Sequence, residues 1–307
     1  MSQTPLLTIG TRGSPLALAQ AHAVAAALKA AVPDLRSDDA IAVLVIKTSG
    51  DKILDRPLAE AGGKGLFTKE IDEAMLDRRI DIAVHSMKDV PTWLPDGIDL
   101  PCMMRREDPR DAFLSNVAKS LDDLAPGAVV GTASLRRGAF VLARRPDLKI
   151  VSFRGNVQSR LAKLDDGVVD ATLLALAGLR RLGMAERAAG VLSVEAMLPA
   201  VAQGAIGITC RSDDARAQGW LAKINHVATT VAVACERAFL RVLDGSCRTP
   251  IGGLAILDAN GGLDFVGRLA RPDGSAIFEA RRSGSAAAAE AIGTDAGEEV
   301  KAAASGG

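Results

Sequence analysis

The sequence predicts an α/β protein: two domains built from strand–helix–strand units, then a smaller α+β domain with a three-stranded antiparallel sheet. Three observations carry this. Apolar runs of strand length alternate with helical periodicities through the first two thirds of the chain, as in sheets covered on both faces. The last third instead has strand-like runs parted by the turn signals Asn260-Gly261-Gly262 and Pro272-Asp273-Gly274. At 307 residues with 48% apolar content, the chain exceeds one ordinary core and can fill more than one.

Leu6 to Ile9 reads as a strand entering Gly10-Thr11-Arg12-Gly13. Ser14 stands where a helix N-cap belongs, and Pro15 takes the first helical position. That helix continues through Leu16, Ala19, Ala23 and Ala27 to Pro33. Ile41–Ile46 and Ile80–Val84 are near-continuous apolar runs, the mark of buried strands. Between them lie a glycine-rich stretch, Ser49–Gly65, and a helical repeat at Ile71, Ala74 and Met75.

After a polar patch, Arg105–Asp111, the alternation resumes. Val129–Gly131 leads into a helix capped near Ser134, Lys149–Phe153 into a helix bearing Arg160, and Asp170–Ala175 is a further strand. The spacing predicts parallel-rich sheets. A helix over Thr229–Val242 precedes the loop Asp244-Gly245-Ser246-Cys247, and an alanine-rich helix over Ala286–Ala304 closes the chain. Domain boundaries are placed at 1–104 with about 203–225 returning to it, 105–202, and 226–307.

Lys+Arg and Asp+Glu both number 37, and aromatic residues make up 3% with no Tyr. A nucleic-acid partner is not expected, because there is no basic excess and stacking aromatics are scarce. No apolar run reaches the roughly 18 residues of a membrane span, and the first residues lack a secretory pattern. The expectation is a cytoplasmic monomer acting on a small molecule. Cys102, Cys210, Cys235 and Cys247 form no C-x-x-C pair and accompany three histidines, so no metal is expected.

Arginines cluster at strand-to-helix junctions: Arg12, Arg136 with Arg137, Arg154 with Arg160, and Arg180 with Arg181. Guanidinium groups grip carboxylates bidentately, and helix starts favour anions. The pattern suits a ligand with several carboxylates; a phosphate would fit equally well. Lys88 and Asp89 follow the Ile80–Val84 run, where Asp89 suits either a turn or a cation developing on a substrate. His85 is expected to pack against the sheet. Cys102, Cys210 and Cys235 lie in apolar or helical segments and read as core, which leaves the loop residue Cys247 as the candidate for covalent chemistry.

Several stretches taken together resemble the porphobilinogen deaminase family. They are Thr11-Arg12-Gly13-Ser14-Pro15-Leu16-Ala17-Leu18, Gly62-Gly63-Lys64-Gly65-Leu66-Phe67 and His85-Ser86-Met87-Lys88-Asp89-Val90-Pro91. They continue with Arg106-Glu107-Asp108-Pro109-Arg110-Asp111-Ala112, Gly131-Thr132-Ala133-Ser134-Leu135-Arg136-Arg137 and Arg154-Gly155-Asn156-Val157. The resemblance implies two solute-binding-protein-like α/β domains around a cleft, and a third domain carrying a cofactor cysteine. It implies an enzyme that condenses four porphobilinogen molecules head-to-tail, releasing ammonia and hydroxymethylbilane, in tetrapyrrole (heme, chlorophyll or corrin) biosynthesis. The implied cofactor is dipyrromethane, held as a thioether on Cys247.

By the same resemblance Asp89 and Lys88 are catalytic. Arg136, Arg137, Ser134, Lys88 and Asp89 contact the cofactor, and Arg12, Arg154, Arg160, Arg181, Lys64 and Gln203 bind substrate. Lys64 would lie on a mobile loop. The sequence departs from the usual pattern at Gly245-Ser246-Cys247-Arg248, at Ala202 and at Glu60. Two other readings compete: a non-enzymatic anion-binding protein, and a cysteine hydrolase that brings His22, His85 or His226 to Cys247.

Overall fold

The computed structural model describes residues 4–52, 65, 67–244 and 249–306. They divide into two compact units, one from the described residues of 1–53, 63–106 and 205–230, the other from those of 107–204 and 231–307. Cys247, Lys64, Gly62, Gly63 and Glu60 lie outside the described residues.

The first unit holds a five-stranded sheet in the order Ile41–Val45, Leu7–Thr11, Ile82–Ser86, Ile206–Arg211, Ile98–Met103. Ser14 caps the helix Pro15–Ala31 by accepting from the Ala17 N–H at 3.2 Å, as its position ahead of Pro15 predicts. That helix buries Gln20, Ala21, Val24 and Leu28, and the core on its side includes Ile82 and Val84. Ala83 instead joins Ile71, Ala74 and Met75 in a separate cluster with Ile46, Ile80 and Ile98. Alternate residues of one strand thus enter different cores, which is why its sequence is apolar throughout.

The expectation of parallel-rich sheets is corrected. The first two pairings of this sheet are parallel, but Ile206–Arg211 runs antiparallel to both of its neighbours. A strand buried on both faces reads as the same apolar run in either direction, so local sequence carries no sign of its orientation. Ile98–Met103 was not legible as a strand, since Asp99 and Pro101 interrupt its pattern.

The second unit repeats the plan: Lys149–Val151, Val129–Gly131, Ala171–Ala175, Asp111–Ser115, Gly190–Val191. Two parallel pairings are again followed by two antiparallel ones. Its cores part by side-chain alternation, Phe113 to one cluster and Ala112 with Leu114 to the other. Asp111, read from sequence as the end of a polar patch, is the first residue of a strand and is fully buried.

This unit also contains the antiparallel sheet Ile251–Leu257, Gly262–Ala270, Ile277–Ser285, as the turn signals predict. The helix Val227–Val242 starts two residues before its predicted Thr229, and one 3₁₀ turn, Ala286–Ala288, precedes the final helix Ala289–Ser305. That helix approaches its neighbour so closely that a Cβ on Gly293 would lie 2.0 Å from the Cys235 carbonyl oxygen. No helix among the described residues is long and apolar enough to cross a membrane.

Candidate active site

In the first unit, two adjacent parallel strands bring their carboxyl ends side by side. Leu7–Thr11 hands the chain to Arg12, and Ile82–Ser86 runs into the 3₁₀ turn Met87–Asp89. Arg12 Nη1 lies 3.9 Å from Asp89 Oδ2, with both side chains partly open to solvent. The same guanidinium lies over the Phe67 ring, 4.1 Å from its centroid. Phe67 is in turn seated on Gly50, where a Cβ would meet the ring at 2.3 Å. At the end of the strand Ile82–Ser86, the Gln20 amide donates to the Ser86 hydroxyl at 2.9 Å. Lys88 follows in the same 3₁₀ turn.

His85 is buried, and its Nε2 is 3.0 Å from the Thr209 hydroxyl. Burial, aided by the positive charge of Arg12, lowers its pKa to about 4. It is therefore neutral near pH 7, and it packs against the sheet as its sequence predicts. His226 is used on the Thr229 hydroxyl, 2.9 Å from Nδ1.

In the second unit, Ser134 caps the helix Leu135–Arg144 by accepting from the Arg137 N–H at 3.4 Å. Arg136 and Arg137 occupy its first turn and are 4% and 5% exposed, so they are not the solvated helix face their charge would suggest. Both turn onto Asp111. Arg136 Nη2 donates to Oδ2 at 2.8 Å, and Arg137 Nη2 to Oδ1 at 2.7 Å. Burial pushes the Asp111 carboxyl up, but the two guanidiniums outweigh it and hold the group well below the usual carboxylate range. Burial lowers the pKa of Arg136 despite that partner. Among the described residues the buried Arg136 Nε has no hydrogen-bond partner.

Gln203, 1% exposed, donates to the Asp111 carboxylate at 3.0 Å and to the Pro109 carbonyl at 2.7 Å. Arg154 follows the strand Lys149–Val151, and Arg160 sits on the helix Val157–Asp165, whose N-cap is Asn156. Arg160 Nε donates to the Gly155 carbonyl at 2.9 Å. Gly155 itself has φ of 129°, and a Cβ there would meet the Ser159 hydroxyl. Arg180 and Arg181 end the six-residue helix Leu176–Arg181 rather than beginning one, which corrects the junction predicted for them. Arg180 pairs with Glu107 at 2.6 Å, and Arg181 donates to the Gly204 carbonyl at 2.6 Å. Burial lowers the pKa of Arg181, opposed by the Glu107 charge.

The structure thus gathers the predicted residues into two groups, Arg12 with Lys88 and Asp89 in one unit, Ser134, Arg136, Arg137 and Gln203 in the other. Sequence reasoning missed Asp111 and Phe67 as members of these groups. Both stood inside quoted motifs, but nothing local marks a carboxylate as internal or a ring as an arginine seat.

Comparison with known proteins gives a consistent result. The family described as "Porphobilinogen deaminase, dipyromethane cofactor binding domain" matches residues 7–219, and "Porphobilinogen deaminase, C-terminal domain" matches residues 230–302. The chain is 59% identical over 303 residues to the chloroplastic porphobilinogen deaminase of Oryza sativa subsp. japonica, covering 98% of this chain and 85% of that protein. It is 55% identical over 299 residues to the porphobilinogen deaminase of Paracoccus denitrificans, covering 97% and 94%. Among solved structures, the methionine-binding protein MetQ aligns with 71% of this chain and 87% of its own at 16% identity, with a TM-score of 0.44.

Proposed function

Because the chain belongs to the porphobilinogen deaminase family, we propose that the two residue groups described above divide that family's reaction between charge stabilisation and polyanion grip. The protein is an enzyme of tetrapyrrole biosynthesis. It condenses four porphobilinogen molecules head-to-tail on a dipyrromethane cofactor, releasing ammonia and hydroxymethylbilane.

The observation that carries the assignment is the placing of Asp89 beside Arg12 at the carboxyl ends of adjacent parallel strands, where open α/β sheets present their ligands. Loss of ammonia from porphobilinogen leaves positive charge on the pyrrole nitrogen. Asp89 offers a fixed carboxylate to that charge and a site for the proton in transit. Arg12 is assigned to a substrate carboxylate, and Lys88 to the support of Asp89. His85 is buried on the Thr209 hydroxyl and neutral near pH 7, so it brings no positive charge to the site.

The residues present also fit the cofactor's chemistry. A buried Arg136 Nε with no partner among the described residues is a donor that a carboxylate oxygen would satisfy. Arg136, Arg137 and Ser134 would hold those carboxylates and Cys247 would carry the thioether. When bound, dipyrromethane supplies the free pyrrole α-carbon to which substrate is joined. Arg154, Arg160, Arg181, Lys64 and Gln203 complete the substrate-binding assignment.

We further infer a three-domain division with Cys247 on the C-terminal domain, and a cytoplasmic monomer. Size-exclusion chromatography with light scattering tests the last. Mass spectrometry tests the site: the purified enzyme should exceed its sequence mass by two pyrrole units, on the peptide containing Cys247. Cys247→Ser should lose both the added mass and the activity; full turnover in that variant overturns the tether.

A further inference from the structure

We infer that Asp111 is a positioning residue, an internal counter-ion that fixes the Arg136 and Arg137 guanidiniums for the carboxylates of dipyrromethane. This deepens the cofactor reading above and rests on it.

Asp111 is fully buried, and three side chains converge on it from two other segments. Its Oδ2 accepts from Arg136 Nη2 at 2.8 Å. Its Oδ1 accepts from Arg137 Nη2 at 2.7 Å, Arg137 Nε at 3.2 Å and Gln203 Nε2 at 3.0 Å. Each guanidinium is pinned at a second point by backbone, Arg136 Nη1 to the Leu198 carbonyl at 2.7 Å and Arg137 Nη1 to the Leu173 carbonyl at 2.9 Å. Neither planar fork can then rotate without breaking a buried charge-assisted hydrogen bond.

The backbone behind Gln203 is held too. Ala202 has φ of 59°, a left-handed conformation, and its N–H donates to the buried Glu236 carboxylate at 2.6 Å. Glu236 also accepts from the Ala255 N–H at 2.8 Å, tying this segment to the antiparallel sheet.

Charge explains why a carboxylate is required. Two guanidiniums on consecutive buried residues would repel and be poorly solvated, and such charges persist in an interior only when paired. One carboxylate against two guanidiniums leaves a single positive charge, and Arg136 Nε remains without a partner among the described residues. The cluster is thus rigid, charged, and short of one anion.

The experiment follows apo-protein incubated with porphobilinogen, reading the mass gained on the Cys247 peptide over time. Asp111→Asn removes the counter-charge, and Asp111→Glu keeps it but displaces it by one methylene. Both should acquire the two-pyrrole mass more slowly, on the order of 100-fold, as misplaced groups typically do. The assay is run well below each melting temperature, so a loss of stability alone does not slow it. Wild-type loading by both variants overturns the inference. If Asp111→Asn does not fold, Asp111→Glu decides: slow loading supports positioning, and wild-type loading overturns it. Arg137→Leu separates the two claims. Normal loading there removes the assignment of Arg137 to the cofactor carboxylates, whereas impaired loading beside normal Asp111 variants removes only the role of Asp111.

Discussion

Arg12 Nη1 stands 3.9 Å from Asp89 Oδ2, a partly solvated ion pair rather than a buried one. Pairs of this kind contribute only about 0–1 kcal/mol to folding. Asp89→Asn should therefore melt within a few degrees of the native protein while kcat falls by roughly 100- to 1000-fold, as on loss of a preorganised electrostatic group. Calorimetry and steady-state rates check the two halves separately. A near-native kcat would remove Asp89 from the mechanism.

Phe67 lies under Arg12, and such a contact at a partly exposed site supplies about 0.5–1 kcal/mol. Phe67→Leu should raise KM for porphobilinogen by about 2- to 5-fold, the same energy expressed as affinity, with Phe67→Trp retaining it. Gly50→Ala should share the defect, because its new methyl would meet the ring at 2.3 Å. Unchanged KM in both Phe67→Leu and Gly50→Ala would show that the ring does not seat Arg12.

Two buried groups give opposite pH dependences. His85 has a folded pKa of about 4, below its ordinary 6.5, so its contribution is intact above 6.5 and is lost as pH falls toward 4. The amount at stake is roughly 3 kcal/mol. His85→Gln, which keeps a partner for Thr209, should flatten the fall in melting temperature across that window. Asp72 is the reverse case: burial raises its carboxyl to about 6, so stability is lost as pH rises from 3.8 through 6. Asp72→Asn should stabilise the protein at pH 7.5 by on the order of 1–3 kcal/mol, and no gain there would mean that Asp72 ionises without cost.

Gly293 lets the helix Ala289–Ser305 touch the backbone of Val227–Val242, and a Cβ there would lie 2.0 Å from the Cys235 oxygen. Gly293→Ala should cost about 1–3 kcal/mol, since the neighbour is backbone and cannot rotate away. Ala302→Gly on the same helix controls for propensity, and chemical denaturation measures both. Propensity alone would make Gly293→Ala stabilising, by about as much as Ala302→Gly loses, so a gain in the Gly293 variant would show that the backbones part without cost.

Much of this was legible in the chain. Ser14 before Pro15 fixed a helix start, and Asn260-Gly261-Gly262 fixed a hairpin, because caps and tight turns are decided by a few adjacent residues. The reading of Cys102, Cys210 and Cys235 as core holds for the same local reason, their apolar surroundings. The junction assigned to Arg180 and Arg181 failed because a helix of six residues leaves too short a periodic signature to show which end they occupy.

The sequence by itself determined the alternation of strands and helices, the antiparallel C-terminal sheet, and, through its motifs, the family and its reaction. Only the tertiary structure decided that Ile206–Arg211 enters its sheet antiparallel, that Asp111 is an interior charge, and that Arg136 and Arg137 converge on it. The physical reason is range. Propensity and capping act over a few bonds, whereas a buried ion cluster draws on groups 25 to 92 residues apart in the chain, and its energy exists only once water has been removed.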